Sequence, residues 1–241
     1  MNSPSCDLSL ATAAKMAGIA YLIMILIAPF AYGYVYSGLI IPGDAASSIA
    51  NVTDKSMLFR AGITGFVIVI LADVVVAVGL YRFLSPVNKS LALMTAWFRL
   101  IYVAIFAVAL NSLFDMLYLV SDGVKLLGDD NTCLAQAELL RMVHQFDYGW
   151  LIGLVFFACH LFLLGSLMIK ANYIPSLLGG LVVFAALGYL TDSFAHFLLP
   201  NYAAYREIFN FIALVAAAVG ELSLCLWLLI KGKAGAQLVA V

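Results

Sequence analysis

Two histidine–aspartate pairs interrupt the apolar stretches of this sequence. His144 and Asp147 are three residues apart, and Asp192 and His196 are four residues apart. Either spacing places the two side chains on one face of a helix. Together with Asp115, they supply imidazole and carboxylate groups that could bind zinc, manganese or iron. A divalent metal held there could activate water to hydrolyse a lipid-like substrate. The plainer interpretation is a set of polar side chains at wet helix ends.

A second set of ionisable residues takes one member from each of four apolar stretches: Asp73, Arg99, His160 and Glu221. A charge inside a membrane helix costs at least roughly 2.5–3.5 kcal/mol, so it needs a partner. Arg99 is always charged, and Asp73 and Glu221 are the carboxylates expected at its depth. This set could relay a proton or bind a small solute. Alternatively, it is a structural network of ion pairs that fixes the register of the helices.

The composition indicates that these residues lie in a membrane. Of 241 residues, 65% are hydrophobic and 10% are charged, whereas a soluble domain has about 25% charged residues. A core of this size could not hide so much apolar surface from water, so lipid must be its solvent. The formal net charge of −1 gives no basic patch that would indicate a nucleic-acid partner. The four cysteines show no CxxC or Cys/His spacing of a zinc knuckle.

Six stretches are long enough to cross a bilayer, since each has about 20 or more mostly apolar residues. Lipid offers no hydrogen bonds to the backbone, so these stretches must be helices. The sequence therefore predicts an all-α integral membrane protein, a six-transmembrane-helix bundle that forms a single membrane domain over residues 1–241. The predicted spans are roughly residues 16–39, 60–84, 91–119, 145–169, 174–198 and 208–230.

The placement of lysine and arginine gives a small bias toward a cytoplasmic N-terminus. Short loops on that side concentrate positive charge, as at Arg82, Lys89 and Lys170. Both termini are then cytoplasmic, and the expected location is the bacterial inner membrane. In this orientation the set around Arg99 lies nearer the cytoplasm, and the histidine–aspartate pairs lie at the outer ends of their helices. Aromatic residues near span ends predict interface belts: Tyr32, Tyr34, Tyr36, Trp150, Tyr202 and Tyr205.

Two local patterns predict features within and beside the first span. Pro29 lies mid-helix near Gly33, which predicts a kink. Asp44 precedes a short amphipathic stretch in which Ile49 and Val52 would share one face. This pattern predicts a short helix whose N-cap is Asp44.

Several phrases, taken in order, resemble the bacterial membrane family known as domain of unknown function 4386 (DUF4386). The resemblance covers nearly the whole chain and implies a six-helix bacterial inner-membrane protein. It carries no established reaction or ligand, so no catalytic residues can be transferred. The phrases are Ala17–Tyr21, Phe59–Gly62, Leu80–Arg82 with Pro86–Asn88, Tyr173–Pro175, Gly188–Ser193, and Gly220–Ser223 with Leu226–Gly232.

Three functional hypotheses follow from these residues. The first is a membrane protein that binds or moves a small molecule, a lipid or a proton through the polar residues of its spans. The second is an intramembrane metal-dependent hydrolase that uses the His/Asp cluster. The third is a non-catalytic partner subunit in which both sets are structural. The lipid bilayer is the one partner that the sequence specifies. The sequence identifies no substrate, partner protein or oligomeric state.

Overall fold

The structure, a computed structural model, describes residues 8–123 and 132–239. Within these ranges the chain forms helices joined by short turns, with an isolated antiparallel bridge between Ile41 and Asp44. Six helices there are long and apolar enough to cross a membrane, which confirms the predicted all-α class of a multipass membrane protein. The side of the membrane that holds the termini stays a prediction. Numbered 1 to 6, the spans are Leu10–Leu39, Ser56–Leu84, Lys89–Ser121, Thr132–Lys170, Ser176–Leu198 and Arg206–Ile230.

Two of the spans begin well before their predicted first residues. Span 1 starts at Leu10 and span 4 at Thr132. Hydropathy locates the part of a helix that lies in lipid, but backbone hydrogen bonding continues beyond it. The early turns of span 4 are polar, with Arg141 Nε donating to Glu138 Oε2 at 2.8 Å. At 1.5 Å per residue, the 39 residues of this helix extend well beyond the roughly 30 Å hydrocarbon core of a bilayer.

The described residues fall into two compact units. The first unit comprises the described parts of Met1–Leu22, Ala72–Tyr102 and Leu154–Val241, and the second comprises Ile23–Leu71 and Val103–Gly153. Residues of spans 1 to 4 are therefore divided between the units, whereas spans 5 and 6 belong wholly to the first. The single membrane domain expected over residues 1–241 stays a prediction.

The first unit packs spans 4 and 5 with their backbones in contact. A Cβ atom on Gly165 would lie 2.6 Å from the carbonyl oxygen of Gly179, and one on Gly179 would lie 2.7 Å from that of Gly165. Spans 5 and 6 approach each other in the same way, because a Cβ on Gly220 would lie 2.8 Å from the carbonyl oxygen of Leu181. Small residues of this kind permit close helix packing in lipid.

Replacing Gly179 with alanine is expected to lower the free energy of unfolding by about 1–3 kcal/mol, as overpacking does. The new Cβ would meet the Gly165 carbonyl oxygen and Cγ1 of Ile169 at 2.7 and 2.8 Å. Gly180→Ala is the matched control, because a Cβ there meets no atom within 4 Å. Denaturation of both variants with SDS in mixed micelles measures the difference. Equal losses at the two positions would contradict the close-contact explanation.

The second unit contains a π-helical stretch in span 1, Pro29–Tyr36. It begins at the proline that predicts a kink, because the proline ring removes a backbone donor and clashes with the preceding turn. Within this stretch the rings of Tyr32 and Tyr36 stack at a centroid distance of 5.6 Å. Tyr32 also stacks on Trp150 at 5.2 Å. The π-helical stretch therefore contributes two stacked rings to an aromatic cluster.

Asp44 caps the short helix Ala45–Asp54, as its sequence predicts. Its Oδ1 accepts a hydrogen bond from the backbone N–H of Ser47 at 2.9 Å, and the Ser47 hydroxyl donates to Oδ2 at 2.6 Å. These hydrogen bonds, the side-chain one first, hold the pKa of the Asp44 carboxyl below its usual value. Val52 is buried and Ile49 is half-buried, so the predicted apolar face is turned toward the protein.

Candidate functional site

A buried ion pair lies within the first unit. Arg99 Nη2 lies 2.5 Å from Asp73 Oδ1, and both side chains are 0% exposed. Asp73 belongs to span 2 and Arg99 to span 3, so the pair joins two helices. Oδ2 of Asp73 is also buried, and it accepts no hydrogen bond from the residues that the structure describes.

The other terminal nitrogen of Arg99 fixes the protonation of a buried histidine. Nη1 donates to the Tyr21 hydroxyl at 2.9 Å and lies 3.0 Å from His160 Nε2. A guanidinium group has no acceptor, so Nε2 must accept and Nδ1 must carry the proton. His160 Nδ1 then donates to the carbonyl oxygen of Thr95 at 2.8 Å. In this arrangement His160 is a neutral imidazole that supports the guanidinium group.

Aromatic rings cover the guanidinium group as well. The Arg99 Cζ atom lies 4.9 Å from the centroid of the Tyr21 ring and 5.2 Å from that of Phe157. Both distances are within the range of cation–π attraction, which is stronger where water is excluded. Phe157 also contacts the ring of Tyr102 at 4.9 Å and the ring of Tyr189 at 5.4 Å. Arg99 is thus held by an ion pair, two polar contacts and two aromatic faces.

Glu221 of span 6 is the second carboxylate of this site. The Tyr189 hydroxyl donates to its Oε1 at 2.7 Å. Its side chain is half-buried, unlike those of Asp73 and Arg99. Glu221 is close enough to Arg99 and Asp73 for electrostatic interaction with both. One carboxylate, Asp73, is therefore paired directly with the guanidinium group, and the second, Glu221, is within electrostatic range of it and is held by a neutral phenol.

The residues of the predicted metal site in the second unit do not converge. Asp147 is half-buried and accepts a hydrogen bond from the Tyr36 hydroxyl at 2.8 Å, where the π-helical stretch ends. His144 and Asp115 are exposed. The ring of His144 lies 6.4 Å from that of Tyr148. The partner found for Asp147 is therefore a tyrosine.

The remaining predicted pair lies in the first unit, near the end of span 5. Asp192 is 8% exposed, and its Oδ1 accepts a hydrogen bond from the Tyr202 hydroxyl at 2.7 Å. The ring of His196 lies 4.3 Å from the ring of Tyr202. Across residues 8–123 and 132–239, no group of three or more His, Cys, Asp or Glu side chains is placed to hold a metal ion. The metal site thus stays a prediction, with no ligand geometry to support it.

Comparison with known proteins shows the family of the chain. The model of one protein family, described as "Domain of unknown function (DUF4386)", matches residues 16–232. The chain belongs to this family. A protein of Archaeoglobus fulgidus described as uncharacterized is 32% identical over 180 residues, which cover 74% of this chain and 88% of that relative. No solved structure matches the chain.

The DUF4386 match covers all the residues described above around Arg99, from Tyr21 to Glu221. The family description names no reaction, so the roles of these residues rest on their geometry. The archaeal relative does not test the expected bacterial inner membrane, which stays a prediction.

Four tyrosines are hydrogen-bond partners of charged residues, a pairing that the sequence alone did not assign. Tyr21 and Tyr189 contact Arg99 and Glu221, and Tyr36 and Tyr202 contact aspartates. Tyr36 and Tyr202 were predicted to belong to interface belts. A usable signal was nevertheless present, because a buried phenol needs a hydrogen-bond partner. Two of the phrases that resemble DUF4386, Ala17–Tyr21 and Gly188–Ser193, contain Tyr21 and Tyr189.

Proposed function

We propose that this DUF4386 protein binds and releases a proton at Glu221 and couples that step to binding or moving a small molecule in the membrane. The observation that supports the proposal is a second buried-site carboxylate within electrostatic range of a guanidinium group that is already paired. Asp73 forms the close ion pair with Arg99, whereas Glu221 accepts a hydrogen bond from the neutral Tyr189. If both carboxylates are ionised, one negative charge is in excess, which is costly in a medium of low dielectric constant. A proton on Glu221 restores neutrality.

The contacts of the site support a division of roles within it. Arg99, Asp73 and His160 are fully buried and hold one another, so their contribution is to position the helices. This part of the site agrees with the structural role expected of a non-catalytic subunit. Glu221 is half-buried and has fewer constraints, so it is the member that can exchange a proton with its surroundings.

Glu221→Gln tests the proposal directly, because glutamine keeps the size of the side chain and cannot titrate. We expect the wild-type protein in lipid to show a carboxyl C=O infrared band that appears and disappears with pH. That band should be absent from Glu221→Gln. Glu207→Gln is the matched control, since Glu207 is an exposed carboxylate in the first turn of the same helix. It should keep the band.

Two outcomes separate this proposal from its alternatives. A titrating band that persists unchanged in Glu221→Gln would show that another group carries the proton, and the proposal would fail. If the band is assigned to Glu221, adding small molecules to unbuffered protein with a pH indicator would identify the coupled class. A compound of that class changes the proton content of the wild-type protein and leaves that of Glu221→Gln unchanged.

A further inference from the structure

Span 5 carries a line of polar side chains on one face, all within the first unit: Tyr189, Asp192, Ser193 and His196. With 3.6 residues per turn, these four positions lie within an arc of about 100° and extend roughly 10 Å along the helix axis. Polar residues on a single face of an apolar helix are costly in lipid and mark pathways for ions or protons.

The two ends of this line have different environments. At one end, Tyr189 donates to Glu221, which is the proposed proton-binding group. At the other end, Asp192 accepts from Tyr202, whose ring contacts that of the half-buried His196. The line therefore runs from a partly accessible imidazole to the carboxylate that we assign to proton exchange.

Ser193 lies in the middle of the line and is, with Ser112, one of two buried serines in the described part of the chain whose hydroxyl groups have no hydrogen-bond partner. It is fully buried, and its Oγ has no hydrogen-bond partner among the residues that the structure describes. A serine or threonine inside a helix commonly donates to the carbonyl four residues earlier. Within the described residues, five serines and threonines inside helices do so at 2.7–2.9 Å: Ser48, Thr53, Thr64, Thr95 and Ser166. A buried hydroxyl that forgoes this bond is a place where an ordered water is expected.

We propose that this face of span 5 is a proton-access path to Glu221, with a water molecule bound at Ser193 Oγ between Asp192 and Tyr189. The inference rests on the proposed proton binding at Glu221. Asp192 takes a proton from solvent, or from the imidazolium form of His196 after that ring has taken one from solvent, and passes it to the water. Tyr189 gives its hydroxyl proton to Glu221 and regains one from the water. The net result is the transfer of one proton to Glu221, and the only bonds that break or form are O–H and N–H bonds.

Charged and titratable groups from other helices surround both ends of the path. Tyr202 lies against Asp192 and His196. Besides Tyr189, the titratable groups that interact with Glu221 include Arg99, Asp73, Tyr21 and Tyr102. Their charges set the equilibrium protonation of Glu221, whereas the path sets how fast that equilibrium is reached. The two quantities can therefore be measured separately.

The experiment is a pH jump on the full-length protein in lipid, followed by time-resolved infrared spectroscopy of the Glu221 carboxyl band. Asp192→Asn should slow protonation by at least about tenfold, since a positioned acid–base group contributes roughly 10²–10⁴-fold to proton transfer. Ser193→Ala should also slow it, and it removes an unpartnered hydroxyl without adding bulk, so it should fold. Thr191→Ala, at an exposed neighbouring position, should leave the rate unchanged. The equilibrium titration should keep its midpoint in Ser193→Ala.

The outcomes distinguish this inference from the proposed function. If Glu221 titrates but Ser193→Ala and Asp192→Asn react as fast as the wild type, the path along span 5 is wrong and the proton site stands. If the wild-type band itself does not titrate, both proposals fail. Slowing by Thr191→Ala to the same extent would show that any change in span 5 affects the rate, and it would overturn the path.

Discussion

Arg99→Leu is expected to lower the free energy of unfolding by about 3–5 kcal/mol, because removing one partner leaves a buried charge uncompensated. Asp73 would keep its position in span 2 with no cation 2.5 Å away, in a site where its side chain is 0% exposed. His160 and the Tyr21 hydroxyl would lose their shared donor as well. Reversible denaturation with SDS in mixed micelles, followed by circular dichroism, measures the loss.

The double variant Arg99→Leu/Asp73→Leu is expected to recover much of that loss. Replacing a buried ion pair with apolar residues is often neutral or stabilising, because neither charge then has to be removed from water. Arg141→Leu is the control for the loss of an arginine as such, since Arg141 and Glu138 form a surface pair with side chains 58% and 40% exposed. A surface pair contributes at most about 1 kcal/mol.

Two results would contradict this account of the ion pair. A loss in Arg99→Leu no larger than in Arg141→Leu would mean that the buried pair does not stabilise the helices. No recovery in the double variant would mean that the contacts of Arg99 with Tyr21, His160 and Phe157 matter more than its pairing with Asp73. Asp73→Leu alone completes the double-mutant cycle with Arg99→Leu and the double variant, and this cycle separates these contributions.

The sequence predicted six spans and two candidate carboxylate partners for Arg99, and the physical reason is the same for both. A charge or an unpaired backbone group is costly in lipid. The length and apolar composition of each stretch, and the depth of its charged residues, therefore allow few ways to place the helices and to pair the charges. Arg99 needs a carboxylate at its own depth, and Asp73 supplies it. The extension of span 4 back to Thr132 was missed because its first turns are polar and hydropathy does not register them.

The partners of the remaining carboxylates could not be predicted from sequence spacing. Helical spacing puts Asp192 and His196 on one face, but it does not fix the rotamers or exclude a partner from elsewhere in the chain. Tyr202, ten residues beyond Asp192, supplies the hydrogen bond instead. A phenol donates to a carboxylate without bringing a charge of its own, which suits a site of low dielectric constant. Tyrosine is also common at membrane interfaces, so its position alone cannot reveal this role.

The close contacts of the glycines could not be predicted from the sequence either. Gly188 and Gly220 both lie in phrases that resemble DUF4386, but the sequence does not say what approaches them. In the structure a Cβ on Gly188 would lie 2.6 Å from Cβ of Ala216, and one on Gly220 would lie 2.8 Å from the carbonyl oxygen of Leu181. Contacts of this kind depend on the crossing of spans 5 and 6, which is a tertiary property.

Phe157→Ala is expected to destabilise the protein by about 3–5 kcal/mol, the usual cost of deleting a large buried side chain. Phe157 is 4% exposed, and its ring contacts the rings of Tyr102 and Tyr189 and the guanidinium group of Arg99. The loss combines the cavity, the aromatic contacts and one face of the cation–π arrangement. Thermal and SDS denaturation in micelles measure it.

Phe162→Ala is the matched control, because Phe162 lies on the same helix and is 46% exposed. Its loss should be much smaller, since truncation there leaves no internal cavity. Phe157→Leu should fall between the two, because leucine fills part of the space and offers no aromatic face. Equal losses for Phe157→Ala and Phe162→Ala would show that the ring contacts do not stabilise the site. A large loss at Phe157 alone would show that the buried ring, which covers Arg99 and contacts Tyr189, stabilises this part of the first unit.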